Sequence, residues 1–319
     1  MEVILRRLLG KKKANGKMVA VNLEDGGASI ASVNRFENSA LPMLDRVAWA
    51  EFSSAAERRG VLEKTIRLHD LQRSSCISVL SPDFYQLVQV EMAGLSLEES
   101  RDAARWQIRE RIDYPPEEAV IDLFEVVPFG GEKKPISYAV SARESVLRDR
   151  VELLQQAGLE LEAIDIPEFA LRNICDLFTT DSRGLAFLLL LQKRGILVIV
   201  RDGALYLVRI LSMGMDDLLP YADGQYETLT DRLDAVVLEI QRSFDYCESN
   251  FHLPMPSRLL VAQTQREIPT LNTYLNEYLA TSVEKFSFDG VMGIPDGAKQ
   301  VELNRHLLAI GGALRREAD

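Results

Sequence analysis

Residues 185–211 read LAFLLLLQKRGILVIVRDGALYLVRIL, and the reading of this stretch decides the fold. A membrane-spanning helix needs about 20 uninterrupted apolar residues. Here the apolar run breaks at Gln192-Lys193-Arg194-Gly195, so a span is rejected. Three short runs remain, 185–191, 196–200 and 204–211. Asp202-Gly203 separates the last two, and Asp-Gly between apolar runs signals a hairpin, because both turn positions favour positive φ. The runs are apolar at nearly every position. That predicts strands covered on both faces, at the centre of an α/β sheet.

An echo of that hairpin lies near the N-terminus. MVAVNL (18–23) and ASIASV (28–33) flank Glu24-Asp25-Gly26-Gly27, which reads as a second hairpin. Each hairpin is followed by a helical stretch, so the chain is expected to have two lobes, each opening with a hairpin of its own.

Composition narrows the classes. A chain of 319 residues accommodates two domains of ordinary size, and 47% hydrophobic with 27% charged residues describes a globular protein. A net charge of −11 argues against a nucleic-acid surface as the main function. The three cysteines, Cys76, Cys175 and Cys247, are far apart and lack CxxC spacing, so they are expected to be buried and reduced. The three histidines are isolated, and no zinc-ligand spacing occurs. Residues 1–17 differ from the rest, with six basic residues against the single acid Glu2. The segment is not a signal peptide: its apolar part is too short and its charges follow it. It reads either as a foot on an anionic membrane surface or as a solvated basic tail.

Along the first half, 53–71 is predicted helical, 77–80 a strand, and 85–91 an alternating strand with one wet face. Ser96 and Glu99 make a capping box that starts a helix at Leu97, with Pro115-Pro116 ending it. Strands follow at 121–127 and 136–140, around a loop from Phe129 to Pro135. Ser141 and Glu144 repeat the capping box for a helix that Gly158 stops, and 161–166 is a strand before a helix from Pro167. In the second half, 230–248 is the clearest amphipathic helix. Then come a strand (259–262), a helix (269–279), a strand (283–286) and a last helix capped by Asn304.

The order of these elements, with particular residues in it, resembles the PilM/MshI family of type IV pilus assembly proteins, and within it the members of MSHA biogenesis. The most specific part is the acidic helix leading to Tyr114-Pro115-Pro116-Glu117-Glu118 and the aspartate-bearing strand with Asp122. Matching pieces are IDIPEFAL (164–171), EIQRSFDY (239–246) and IPTLNTYL (268–275). The resemblance covers essentially the whole chain. It implies an actin-like ATPase fold of the FtsA type: two ribonuclease-H-like lobes, an inserted subdomain 1C and a small subdomain 2B. The implied division is lobe 1 at 18–79 and 141–181, 1C at 80–140, lobe 2 at 182–225 and 258–319, and 2B at 226–257.

The family binds ATP with magnesium between its lobes, on two hairpins and a glycine-rich loop. Glycine is needed there because a side chain keeps backbone N–H groups away from phosphate. The corresponding positions here are Asn22, Gly26, Gly27, Gly214, Gly311 and Gly312. Asn22 and Glu24 stand where an aspartate and a glycine are usual, and Met215 replaces a second glycine after Gly214. The adenosine loop reads Ala262-Gln263-Thr264-Gln265. The site is therefore expected to be degenerate, with no bound cofactor and weak or absent ATPase activity. The alternatives are an ATP-binding ATPase or nucleotide switch, and the cytoplasmic part of an L-type type II secretion protein. The resemblance also implies a partner, the N-terminal segment of a PilN-like bitopic inner-membrane protein, lying between lobe 1 and 1C near Tyr85, Leu87, Tyr114 and Asp122. The implied location is cytoplasmic, peripheral at the inner membrane of a Gram-negative bacterium. Glu98-Glu99, Glu117-Glu118 and Asp216-Asp217 are read either as acid–base pairs or as helix-start acids, and Trp106 as partner contact or core.

Overall fold

A computed structural model of the chain describes residues 17–35, 41–91, 97–126, 135–178 and 182–316. Most of the basic N-terminal segment, Ser96 and the loop at 127–134 lie outside the described residues. The chain divides into two compact units. The first holds the described residues up to 126, residues 135–170 and those from 308 onward, and the second holds residues 171–307.

In the first unit, β1 (Lys17–Glu24), β2 (Gly27–Asn34) and β3 (Met43–Glu51) form an antiparallel meander, followed by α1 (Ala55–Leu68) and β4 (Ser75–Val79). A second, three-stranded sheet comes next. It contains β5 (Tyr85–Val90), then α2 (Leu97–Gln107), β6 (Ala119–Val126) and β7 (Ile136–Arg143), in the order β5-β7-β6. The chain returns through α3 (Glu144–Gln156) to β8 (Glu160–Asp165) and enters α4 (Pro167–Cys175). The larger sheet has the order β3-β2-β1-β4-β8, with β4 parallel to both β1 and β8.

The second unit opens with β9 (Leu185–Leu190), β10 (Gly195–Arg201) and β11 (Ala204–Leu211). All of β9 is buried, as an apolar run without alternation requires. Asp202 and Gly203 make the β10–β11 turn at φ 49° and 72°, the positive values a tight hairpin needs. After α5 (Met215–Leu218) comes α6 (Tyr226–Phe251). Its buried Leu229, Leu233, Val236, Ile240, Phe244, Cys247 and Phe251 recur at three- and four-residue spacing and pack on β11 and α7. Then come β12 (Arg258–Gln263), α7 (Pro269–Tyr278), β13 (Ser282–Lys285), α8 (Gln300–Arg305) and α9 (Leu307–Ala313). The sheet order is β11-β10-β9-β12-β13, strand for strand the order of the first unit.

That equivalence corrects the hairpin echo. The counterpart of β1–β2 is β9–β10, whose turn is Leu191–Arg194 (Leu191 N–H donates to Arg194 O at 2.9 Å), not the Asp202-Gly203 hairpin. The Asp-Gly signal is local and marks a tight turn, but strand order is set by the parallel β9–β12 pairing, which no local signal reports. Other expectations also change. Residues 43–51 form an edge strand where none was expected, because Asp45 and Arg46 interrupt its alternation. Helix α2 ends at Gln107, before Pro115-Pro116, and Arg105 reaches from its last turn to Pro116 O and Ala119 O at 2.8 and 3.0 Å. Ser141 lies in β7 beside Tyr114, so it caps nothing, and α3 starts after Arg143 without a side-chain cap. Asn304 sits within α8 and donates to Gln263 O at 3.0 Å, so it does not cap the last helix. Residues from 308 belong to the first unit, not to lobe 2, and the described part of 226–257 is α6 with the segment that follows it.

Candidate functional site

The six positions assigned to nucleotide are accounted for separately in each unit. In the first hairpin the Asn22 side chain is nearly buried, and its Nδ2 donates to Glu24 Oε1 at 3.0 Å. The carboxamide is thus held inside its own hairpin. Around Gly26 there is open space. Gly27 is different, because a methyl group there would lie 2.6 Å from Trp49 Cε2 and 2.7 Å from Ala50 O. Gly27 therefore seats the Trp49 indole of β3, and its missing side chain serves that packing.

Gly311 and Gly312 also belong to the first unit. A methyl on Gly311 would lie 2.6 Å from the Ala170 carbonyl carbon of α4. One on Gly312 would lie 2.9 Å from Val79 Cγ2 and 3.0 Å from Ala20 Cβ. Both glycines let α9 press onto α4 and the strands β1 and β4.

In the second unit a methyl on Gly214 would lie 2.5 Å from Gln192 O and Lys193 C. The Gly214 N–H donates to Asp217 Oδ2 at 2.9 Å, while Met215 N–H and Asp216 N–H donate to Leu191 O and Gln192 O, both at 2.9 Å. The segment 214–216 is thereby laced to the β9–β10 turn, and the Met215 side chain is fully buried. The loop after β12 is likewise held by side chains. Gln263 Oε1 accepts from Ile268 N–H at 2.7 Å, and Thr264 Oγ1 donates to Leu190 O at 2.8 Å. Four of these five glycines and the adenosine loop thus have internal partners, and of the five Gly26 alone is open.

The partner-face residues lie in the first unit. Helix α2 and the three-stranded sheet share a small core of Val90, Ala104, Ile108, Ala119, Ile121 and Ala139. Tyr85 is buried, and its hydroxyl donates to Glu168 Oε1 and Oε2 at 2.7 and 2.6 Å. Asp122 is 8% exposed, pairs with Arg101 at 3.2 Å and accepts from Leu123 N–H at 3.1 Å, within the edge strand β6. These two side chains are structural and do not offer a free surface. Leu87 and Tyr114 are half-buried, and the Tyr114 hydroxyl lies 3.0 Å from Ser141 Oγ. Trp106 on α2 is 69% exposed, which excludes the core reading.

Glu168, which lies within the matching piece 164–171, carries a strongly perturbed carboxyl. Burial pushes its carboxyl up to about 7, against the Tyr85 hydrogen bond that favours the ionised form. Its signal in the sequence, an acid following Pro167 at a helix start, is indistinguishable from an exposed dipole-compensating residue. The carboxylate pairs have structural partners: Glu118 with Arg143 at 2.6 Å, Asp217 with Gly214 N–H, and Asp216 with Gln265 at 3.3 Å. Among the described residues no group of three or more His, Cys, Asp or Glu could hold a metal ion. No helix there is long and apolar enough to cross a membrane. All three cysteines are free and buried.

No family model matches the sequence, and neither does any curated protein. Solved structures do match the fold. A chain of the PilM–PilN type IV pilus biogenesis complex superposes with a TM-score of 0.72 at 17% identity, over 93% of this chain and 97% of that one. A Bacteroides thetaiotaomicron protein with an actin-like ATPase fold and unknown function gives 0.50 at 10% identity, over 92% and 96%. The cytoplasmic domain of EpsL, an inner-membrane component of the Vibrio cholerae type II secretion system, gives 0.48 at 8% identity, over 91% and 94%. The fold is the actin-like ATPase fold.

Proposed function

We propose that this chain is a scaffold of a type IV pilus assembly platform of the MSHA type, working at the cytoplasmic face of the inner membrane. In this reading it takes the cytoplasmic N-terminal segment of a PilN-like bitopic membrane protein on its first unit, and its nucleotide site is degenerate. The observation that carries the reading is the likeness over 93% of the chain to a protein solved in a PilM–PilN complex. The commitment of Gly27, Gly214, Gly311 and Gly312 to internal packing favours a scaffold over a nucleotide switch.

The test is calorimetric titration of a synthetic peptide, the cytoplasmic N-terminus of the PilN-like protein of the same organism, into the full chain. The half-buried Leu87 is the surface probe, because Tyr85 and Asp122 hold the fold. Binding that Leu87→Lys weakens at least tenfold, about 1.4 kcal/mol, supports the reading. No binding, or binding indifferent to the substitution, refutes the placement. A parallel melt with millimolar Mg-ATP should leave Tm unchanged, whereas a clear rise would put the nucleotide switch ahead.

A further inference from the structure

The first unit holds the end of α2 firmly and leaves Trp106 outside. Both neighbours of Trp106 are engaged. Arg105 donates to Pro116 O and Ala119 O, while Gln107 accepts from Glu91 N–H and donates to Glu91 O, both at 2.9 Å. Trp106 projects between them, 69% exposed, and among the described residues no ring or cation stacks on its indole. Arg109 and Arg111 follow in a further turn, in which Arg111 N–H donates to Ile108 O at 2.8 Å. Both are exposed, and no described carboxylate pairs with either. Residues 101–111 hold four arginines against Asp102 and Glu110, in a chain of net charge −11. An exposed indole beside unpaired guanidinium groups is the side-chain set that dominates binding at protein interfaces.

The second unit carries a surface of the opposite charge. On α6, Asp231, Asp234, Leu238, Gln241 and Asp245 are exposed and recur three and four residues apart, so they form one line. Helix α7 packs beside that line. The Tyr274 hydroxyl donates to Asp234 Oδ1 at 2.6 Å, Gln241 Nε2 donates to Tyr278 O at 3.1 Å, and the Tyr274 and Tyr278 rings lie 4.6 Å apart. Leu238 (45% exposed) and Tyr278 (48%) therefore belong to one patch, with Asp234 at its edge and the exposed Glu277 next to Tyr278. No described cation pairs with Asp231, Asp234, Asp245 or Glu277. The arginines of the same stretch are engaged elsewhere, Arg242 with Glu239 at 3.2 Å and Arg232 over the Tyr221 ring at 4.6 Å. An aromatic and aliphatic centre with unpaired acids fits a partner that is itself aromatic and cationic.

We propose that the chain associates head to tail, the Trp106 end of α2 in one copy, with Arg109, docking on Leu238, Tyr278 and Asp234 of a second copy. The two surfaces are opposite in charge and alike in aromatic character, and every copy carries both. The Trp106 indole covers Leu238 and the Tyr278 ring, and the Arg109 guanidinium meets the carboxylates at the edge of the patch. Because two different surfaces meet, the contact is heterologous, and each added copy presents a fresh surface to the next. The association goes beyond peptide capture by the first unit and does not depend on it.

The experiment is sedimentation velocity of the full chain over a wide concentration range in low salt. The average mass should rise with concentration, and rise less in high salt, which screens the charges. Trp106→Ala and Leu238→Lys should each weaken association by about tenfold or more, since each removes the centre of one surface. Both positions are exposed, so Tm of the monomer should match that of the parent. Mixed in equal amounts, the two variants should form a dimer and stop there. The intact α2 end of the Leu238→Lys chain fits the intact patch of the Trp106→Ala chain, while the two altered surfaces have lost their apolar centres. A parent that stays monomeric, variants that associate like the parent, or a mixture that does not stop at the dimer overturns the proposal.

Discussion

The hydroxyl of Tyr85 donates to both carboxylate oxygens of Glu168, at 2.7 and 2.6 Å, and so ties the three-stranded sheet to the start of α4. The folded state holds the Glu168 proton more tightly than the ordinary value of 4.5, at about 7. The stability this group contributes is therefore full below pH 4.5 and is lost as pH rises through about 7. Asp165 adds to the upward push, and Arg315 pairs with Asp165 at 3.2 Å. Glu168→Gln should flatten this part of the profile, by roughly 1–3 kcal/mol between pH 5 and 8. The difference between the two proteins is what must be measured. His306 in the second unit, lowered to about 4 by burial, gives the opposite slope as pH falls below 6.5. Parallel profiles for the two proteins would show that Glu168 titrates as an ordinary acid.

Gly26 and Gly27 are neighbours with opposite tolerances. Gly27→Ala drives a methyl into the Trp49 ring and should destabilise the first unit by about 1–3 kcal/mol. Gly26→Ala meets nothing within 4 Å and should be neutral or slightly stabilising, by about 0.4–1 kcal/mol. Urea denaturation of both variants is the check, and equal midpoints would remove the packing explanation of Gly27.

The same argument extends to α9. Gly311→Ala would push on the Ala170 backbone, which cannot step aside as a flexible side chain can. A loss of about 1–3 kcal/mol is expected whether or not nucleotide is present. A variant as stable as the parent, with altered Mg-ATP binding, would return Gly311 to the nucleotide site.

Burial pushes the thiols of Cys76 and Cys175 far up, and that of Cys247 up to about 12. Because the thiolate is the reactive form, the folded chain should be nearly inert to a thiol reagent at pH 8 and release three equivalents in denaturant. Fast labelling of even one cysteine in the native state would contradict this burial.

What the sequence reveals of the fold depends on where the information sits. The β9 to β11 runs and α6 announce themselves because burial on both faces, or on one stripe, is written in consecutive residues. The equivalence of β1–β2 with β9–β10 is not visible, because it rests on the long-range pairing of β9 with β12. Strand β3 is obscured by the charges that protect an edge. At the candidate site the glycines could be named, but not what they approach. Trp49 faces Gly27 from another strand, and Ala170 faces Gly311 across 141 positions of sequence. Asp122 and Tyr85 stand out as polar or aromatic residues on alternating strands. Only their partners Arg101 and Glu168 show that both are spent inside the fold.

The first unit is completed by residues from 308 onward, whose glycines seat α9 against Ala20, Val79 and Ala170. During translation, then, the earlier residues of the first unit must wait until the whole second unit, residues 171–307, has been made before α9 can cover their sheet. Its β1 and β4 face stays open while the second unit is being made and is free to fold. A chain interrupted just before residue 308 would be damaged in the first unit most, although the break follows the second. A nascent chain should accordingly need chaperone shelter at the first unit until residues 308–313 have been made.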